Sequence, residues 1–150
     1  MSAVMSPPSV DYLESARRHL ADAHILQDRG RLANAGQLFG FSVECGLKAL
    51  LLACGVMPDP KGGIPWKHAF HAHMPKLNDQ IVASGHLIPD GARENQYRAM
   101  LPSIGDMADW DVGHRYFKEA DIPVASLPKW DMAALEVNEM LDKAVADGVL

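Results

Sequence analysis

This chain has little that would bind it by covalent or purely electrostatic means. It holds only two cysteines, Cys45 and Cys54. Both fall inside one predicted helix, nine residues apart and pointing in different directions, so a rigid helix keeps them beyond disulfide reach. Their spacing fits no zinc pattern, and they read as core thiols of a reducing compartment. Positive charge is also scarce: 14 Lys and Arg stand against 19 Asp and Glu, for a net charge of −5. No global basic field therefore advertises nucleic acid or membrane, although a local basic groove remains compatible with these numbers. The N-terminal MSAVMSPPS lacks the basic-then-apolar order of a secretory signal. No segment alternates apolar and polar residues as a half-buried strand would, and there is no repeat or low-complexity tract.

What is present is helical periodicity. The stretch Arg31 to Gly55 reads as one helix of about 24 residues, roughly 36 Å long at 1.5 Å per residue. Leu32, Ala35, Phe39, Val43, Gly46, Leu47, Leu50 and Cys54 recur at three- and four-residue steps. Leu38, Phe41, Cys45, Ala49 and Leu52 make most of the remaining circumference apolar. The exceptions Asn34, Gln37, Glu44 and Lys48 share an arc of about 80° at 3.6 residues per turn. A helix apolar on nearly every side is the centre of a bundle, with this strip solvated or facing a cleft. Glu44 and Lys48, four apart, stand near the middle of the one run with membrane-like length, where lipid would penalise them. The expectation is a soluble, cytoplasmic chain with no membrane association.

Around this helix the sequence predicts a first helix over Val10–Asp28, capped by Ser9, turning at Gly30 into an antiparallel second helix. A proline- and glycine-rich loop follows to Trp66. A third helix is expected over His68–Ser84, its true start near His73 or Met74 because of Pro75, with Phe70, Met74, Leu77, Ile81 and Val82 inward. A fourth is expected over Ala92–Met107, strained at Pro102, and a last over Pro128–Ala146 with Trp130, Ala134, Val137, Leu141 and Ala144 inward. Trp66, Trp110 and Trp130 are each expected to anchor packing. Gly36, Gly40 and Gly46 each cost the second helix about 1 kcal/mol relative to Ala, which points to close approach by a neighbour within the bundle or across a subunit contact. The fold expected is all-α, an up-and-down bundle of four to five helices in one domain, residues 1–150, behind a flexible stretch at 1–8.

Three groups of residues could carry chemistry. His68, His71 and His73 form His-x-x-His-x-His, a spacing able to hold zinc or nickel, though a polar loop with one capping histidine explains it as well. Asp106, Asp109, Asp111, His114 and Arg115 combine carboxylates, an imidazole and a guanidinium, suited to acid–base work. Arg115 beside Tyr116 could instead fork onto phosphate while the ring stacks on a base, or tie its loop to an acid such as Glu44. Finally, Arg17, Arg18, Arg29, Arg31 and Lys48 could line a basic edge of the first helix pair.

The phrases Gly30-Arg31-Leu32-Ala33-Asn34-Ala35 and Ser42-Val43-Glu44-Cys45-Gly46-Leu47-Lys48-Ala49-Leu50-Leu51 resemble those of HEPN domains. The segment His73–Leu77 and the pair Arg115-Tyr116 resemble later landmarks of the same superfamily, so the likeness spans about Tyr12 to Ala144. It implies a small helical bundle, commonly a homodimer, of a kind that includes endoribonucleases of toxin–antitoxin and antiphage systems. Their usual motif, an Arg followed four to six residues later by His in a late position, is missing here. The resemblance therefore implies the branch that accompanies nucleotidyltransferases or binds nucleotide or RNA without cutting. Asn34, Glu44, Lys48, Arg115 and Tyr116 would bind the ligand, and no cofactor is expected. The alternative is an endoribonuclease with a displaced pair, either Arg18 with His24, or Arg115 with His71 or His73, leaving His73, His114 and Arg115 as the catalytic candidates. A structural dimerisation module is the third possibility.

Overall fold

The computed structural model describes residues 8–150; the expected flexible stretch at 1–8 lies, apart from Pro8, outside them. Five α-helices form among the described residues: α1 (Tyr12–Asp28), α2 (Leu32–Ala53), α3 (Lys76–Ala83), α4 (Gly91–Arg98) and α5 (Leu127–Ala146). No strand occurs among them, and the protein is an all-α bundle. Only α1, α2 and α5 are long. They pack on one another as a three-helix core, while the eight-residue α3 and α4 lie outside it.

Local sequence explains the helix ends. Asp11, not Ser9, caps α1, its carboxylate accepting the Glu14 amide at 2.9 Å. Gly30 takes φ of 73°, a left-handed turn that lets α2 fold straight back. The third predicted helix shrinks because its first half is a chain of turns and Pro75 immediately precedes α3. Val82, predicted inward, is 72% exposed, because the shortened helix covers the core through Leu77 and Ile81 alone. The fourth helix stops at Arg98. Beyond it Pro102 ends α-geometry, and the chain continues through short 3-10 turns at Ile104–Asp109, Val112–Tyr116, Glu119–Asp121 and Val124–Ser126.

α2 is the buried axis, as its all-round apolar sequence requires. It has the length and composition of a membrane span, but 78% of that window is buried inside the fold. Its three glycines face neighbours within the chain. A Cβ on Gly40 would fall inside the Trp110 indole, one on Gly46 would collide with the Val137 side chain, and one on Gly36 would lie 2.7 Å from Trp130 Cζ3. The glycines thus seat α5 and Trp110 directly against the α2 backbone, and Trp110 Nε1 donates to the Gly36 carbonyl at 2.9 Å. A buried polar stitch joins the three long helices: Ser42 donates to the Ala16 carbonyl at 2.7 Å, and Asn138 donates to Ser42 Oγ at 2.9 Å. Buried hydroxyls and amides are kept in such cores when they find partners.

Candidate functional site

The polar strip predicted on α2 does not form one floor. Asn34 and Glu44 are ten residues apart on a straight helix, about 15 Å of axial rise, and the fold treats the two ends differently. Gln37, Glu44 and Lys48 are buried rather than solvated. Gln37 donates to the Val112 carbonyl at 3.2 Å, tying down the 112–116 turn. Asn34 alone remains exposed.

At the buried end, Lys48 Nζ lies 3.1 Å from Glu44 Oε2, and His73 Nδ1 lies 2.8 Å from Glu44 Oε1. The ammonium also sits 5.9 Å from the centre of the Tyr12 ring. His73 is the solvent end of this array, its side chain 54% exposed. The carboxylate holds one ring nitrogen while the rest of the imidazole faces water, the arrangement of an oriented acid–base group. Burial, together with the Glu44 charge beside it, pushes the Cys45 thiol up to about 11, which makes it a poor nucleophile. Burial likewise lowers the His19 pKa, with Arg18 adding to the effect and the Asp22 and Glu44 charges opposing it. Lys48 is absent from the basic edge expected along α1 and α2. Arg17 has turned to Asp142 at 2.8 Å.

At the exposed end, a cleft of about 400 Å³ opens at the α1–α2 turn, lined by Gly30, Arg31, Asn34, Glu119 and Val124 among others. No side chain caps the first turn of α2 here, so its leading amides keep their donor character. Glu119 and Val124 form the opposite wall. Outside that lining, in the turn Val112–Tyr116, Arg115 lies over the Tyr116 ring, 4.9 Å from guanidinium carbon to ring centre. Both side chains are exposed, Tyr116 to 79%, and Arg115 makes no ion pair among the described residues. The expected tie from Arg115 to Glu44 is replaced by Lys48 and His73.

The second predicted cluster comes apart. Asp109 accepts from Trp130 Nε1 at 2.9 Å and from the Ser126 hydroxyl, and Asp111 accepts the Gly113 amide at 2.6 Å. His114 is buried against Phe117 and Trp130, with ring centres 5.3 and 5.9 Å away. Asp109, Asp111 and His114 build the loop, while Asp106, Arg115 and Tyr116 stay exposed without such ties among the described residues. The histidine triplet separates too. His68 Nδ1 accepts the Phe70 amide at 3.0 Å, His73 engages Glu44, and His71 is exposed. No group of three or more His, Cys, Asp or Glu side chains is gathered for a metal among the described residues. Arg18 and His24 do not pair: Arg18 reaches back to Ser15, whereas His24 Nε2 lies 2.8 Å from Asp131 on α5.

Sequence reasoning missed the part His73 plays with Glu44 and Lys48. A buried pair four apart was legible, but a partner 29 residues away across a turn-rich loop has no periodic signal. Comparison with protein-family models, curated proteins and solved structures finds no match for this chain.

Proposed function

We propose that this chain is an HEPN-like domain that binds nucleotide or single-stranded RNA without cutting it, acting in the cytoplasm as a homodimer beside a nucleotidyltransferase-type partner. One observation carries the binding: the exposed, unpaired Arg115 lies on exposed Tyr116, three residues before Glu119, which lines the cleft at the uncapped start of α2. A guanidinium stacked on a phenol offers phosphate and base recognition side by side. Arg31 and the free amides of α2 supply a second anion contact across the cleft, with Asn34 as a neutral donor and acceptor. The family assignment rests on the phrase from Glu44 to Leu50 and its flanking landmarks. The absence of cutting rests on the separation of Arg18 from His24 and on the burial of His114 away from Arg115's exposed face. Self-association is supported by apolar surface shared by α1 and α2, where Ile25 is largely exposed beside Leu26 and beside Leu38 of α2.

A second reading, a metal-independent endoribonuclease, draws support from His73, whose ring nitrogen is held by the Glu44 carboxylate while its side chain is 54% exposed. One experiment addresses both. Fluorescence anisotropy with a labelled 15-nucleotide RNA should show binding that Arg115→Ala weakens about tenfold or more, the loss of one stacked, charge-assisted contact. The RNA should run intact on a gel afterwards. Undiminished binding by Arg115→Ala would overturn the proposed platform. Cleavage abolished by His73→Ala would replace accessory binding with the nuclease. No binding of RNA or nucleotide, with a dimeric mass in light scattering, would leave the structural module.

A further inference from the structure

Between Gly55 and Lys76 the chain carries three lysines, Lys61, Lys67 and Lys76, against one carboxylate, Asp59. This local excess sits in a chain of net charge −5. None of the three lysines forms an ion pair among the described residues, and all are exposed. Asp59 is committed to the backbone, its Oδ1 accepting the amides of Lys61 and Gly63 at 2.9 and 3.0 Å. Trp66, expected to be a packing anchor, is instead 77% exposed in the middle of these lysines in sequence. Its ring has no aromatic or cationic partner and its indole N–H no acceptor among the described residues.

This segment is held in place. Val10 donates to the Lys61 carbonyl at 2.8 Å, and the Tyr12 hydroxyl accepts the Ile64 amide at 2.9 Å. Ile64, Phe70 and Met74 are buried, and His73 is fixed to Glu44. A bulky ring presented to water on a pinned backbone loses little further freedom on binding.

We infer that the Lys61–Lys76 segment is a second contact surface for single-stranded nucleic acid, with Trp66 stacking on a base and Lys61, Lys67 and Lys76 meeting phosphates. The charge argues for this occupant. Lysines and a π face match a polyanion whose bases are open, and every base offers a face to an aromatic ring. A second copy of the same surface would oppose lysine to lysine across a two-fold axis. Insertion into lipid wants a contiguous apolar face, whereas Trp66 is followed directly by Lys67 and His68. The inference extends the proposed RNA binding to a different face of the bundle and can fail separately from it.

The chain supplies its own reporter. Of its three tryptophans, Trp110 and Trp130 are buried and Trp66 alone is exposed. Titration of the intact protein with a 15-residue oligouridylate should saturably quench the exposed tryptophan emission, and the quenching should weaken with salt. Trp66→Ala should bind about tenfold more weakly, as loss of one stacked base implies, with an unchanged melting temperature. The triple change Lys61→Ala, Lys67→Ala, Lys76→Ala should reduce the slope of log affinity against log salt by about 2. Emission that ignores oligouridylate, or equal affinity for Trp66→Ala, overturns the inference. So does a blue shift with anionic phosphatidylserine vesicles but no response to oligouridylate, which marks a membrane surface. So does shielding of Trp66 from acrylamide that grows with protein concentration, which marks self-association. If Arg115→Ala abolishes binding and Trp66→Ala does not, the cleft stands and this surface falls; the reverse result keeps this surface and removes the cleft.

Discussion

Glu44 Oε1 lies 2.8 Å from His73 Nδ1, and this contact fastens a turn-rich loop to the most buried helix of the bundle. The same carboxylate neutralises Lys48, so one side chain serves the core and its covering loop together. Removing one member of a buried pair leaves the other charge without compensation. Glu44→Ala should therefore destabilise the fold by about 3–5 kcal/mol, while the neutral double change Glu44→Gln with Lys48→Met should recover most of that loss. Urea denaturation midpoints measure both. Equal destabilisation by the single and double changes would show that the pair's charge balance is not what matters.

The contact of Gly40 with Trp110 predicts a second effect. Alanine gains about 1 kcal/mol of helix propensity over glycine, yet its methyl would occupy the position of the indole. Overpacking of this kind costs about 1–3 kcal/mol or more, so Gly40→Ala should lower the melting temperature and alter the near-ultraviolet signal of Trp110. Gly105→Ala, with open space around it, should leave stability within about 0.5 kcal/mol. A stabilised Gly40→Ala protein would mean that α2 and Trp110 can separate freely.

Asp147 and Tyr97 predict the shape of the pH profile. Tyr97 donates to Asp147 Oδ2 at 2.6 Å, and Lys143 Nζ lies 2.8 Å from Oδ1. The Lys143 hydrogen bond, then that of Tyr97, holds the Asp147 carboxyl below its ordinary value, and the Asp147 bond raises the Tyr97 phenol. A carboxyl with a depressed folded pKa contributes stability present above its unfolded value and lost as pH falls through the folded one. A phenol with a raised folded pKa contributes stability present below its unfolded value and lost as pH rises through the folded one. Asp147→Asn should flatten both the acid and the alkaline limbs of the stability curve. A variant whose limbs match the wild type would remove this pair from the account.

Thiol chemistry should be slow. Burial pushes Cys45 and Cys54 each up to about 11, leaving little thiolate at pH 8. A chromogenic disulfide reagent should label neither at an appreciable rate until denaturant is added, after which both should react. Rapid labelling of native protein at either position would contradict the packing around α2.

Much of the fold was legible because α2 announces it: an apolar surface on all sides has to be wrapped, and the inward residues of α5 follow a 3.6-residue period without a break. The glycines of α2 were likewise readable as sites of close approach, because glycine inside a helix is unfavourable without a compensating contact. Less legible were the short elements. Pro75 and Pro102 signalled interruption, but whether a stretch beside a proline resumes as α-helix or as 3-10 turns depends on what it packs against, and this moved Val82 outward.

The sequence by itself determined the class of fold, the central helix and the antiparallel turn at Gly30, since each follows from local periodicity or backbone freedom. Tertiary structure decided how the polar residues were shared out. It buried Glu44 and Lys48 with His73, left Asn34 in a cleft at the other end of α2, built Asp109, Asp111 and His114 into a loop, and turned Trp66 to water. Hydrogen bonds join Glu44 to His73 across 29 positions and Asp109 to Trp130 across 21, and no pattern along the chain records which partner will be within reach.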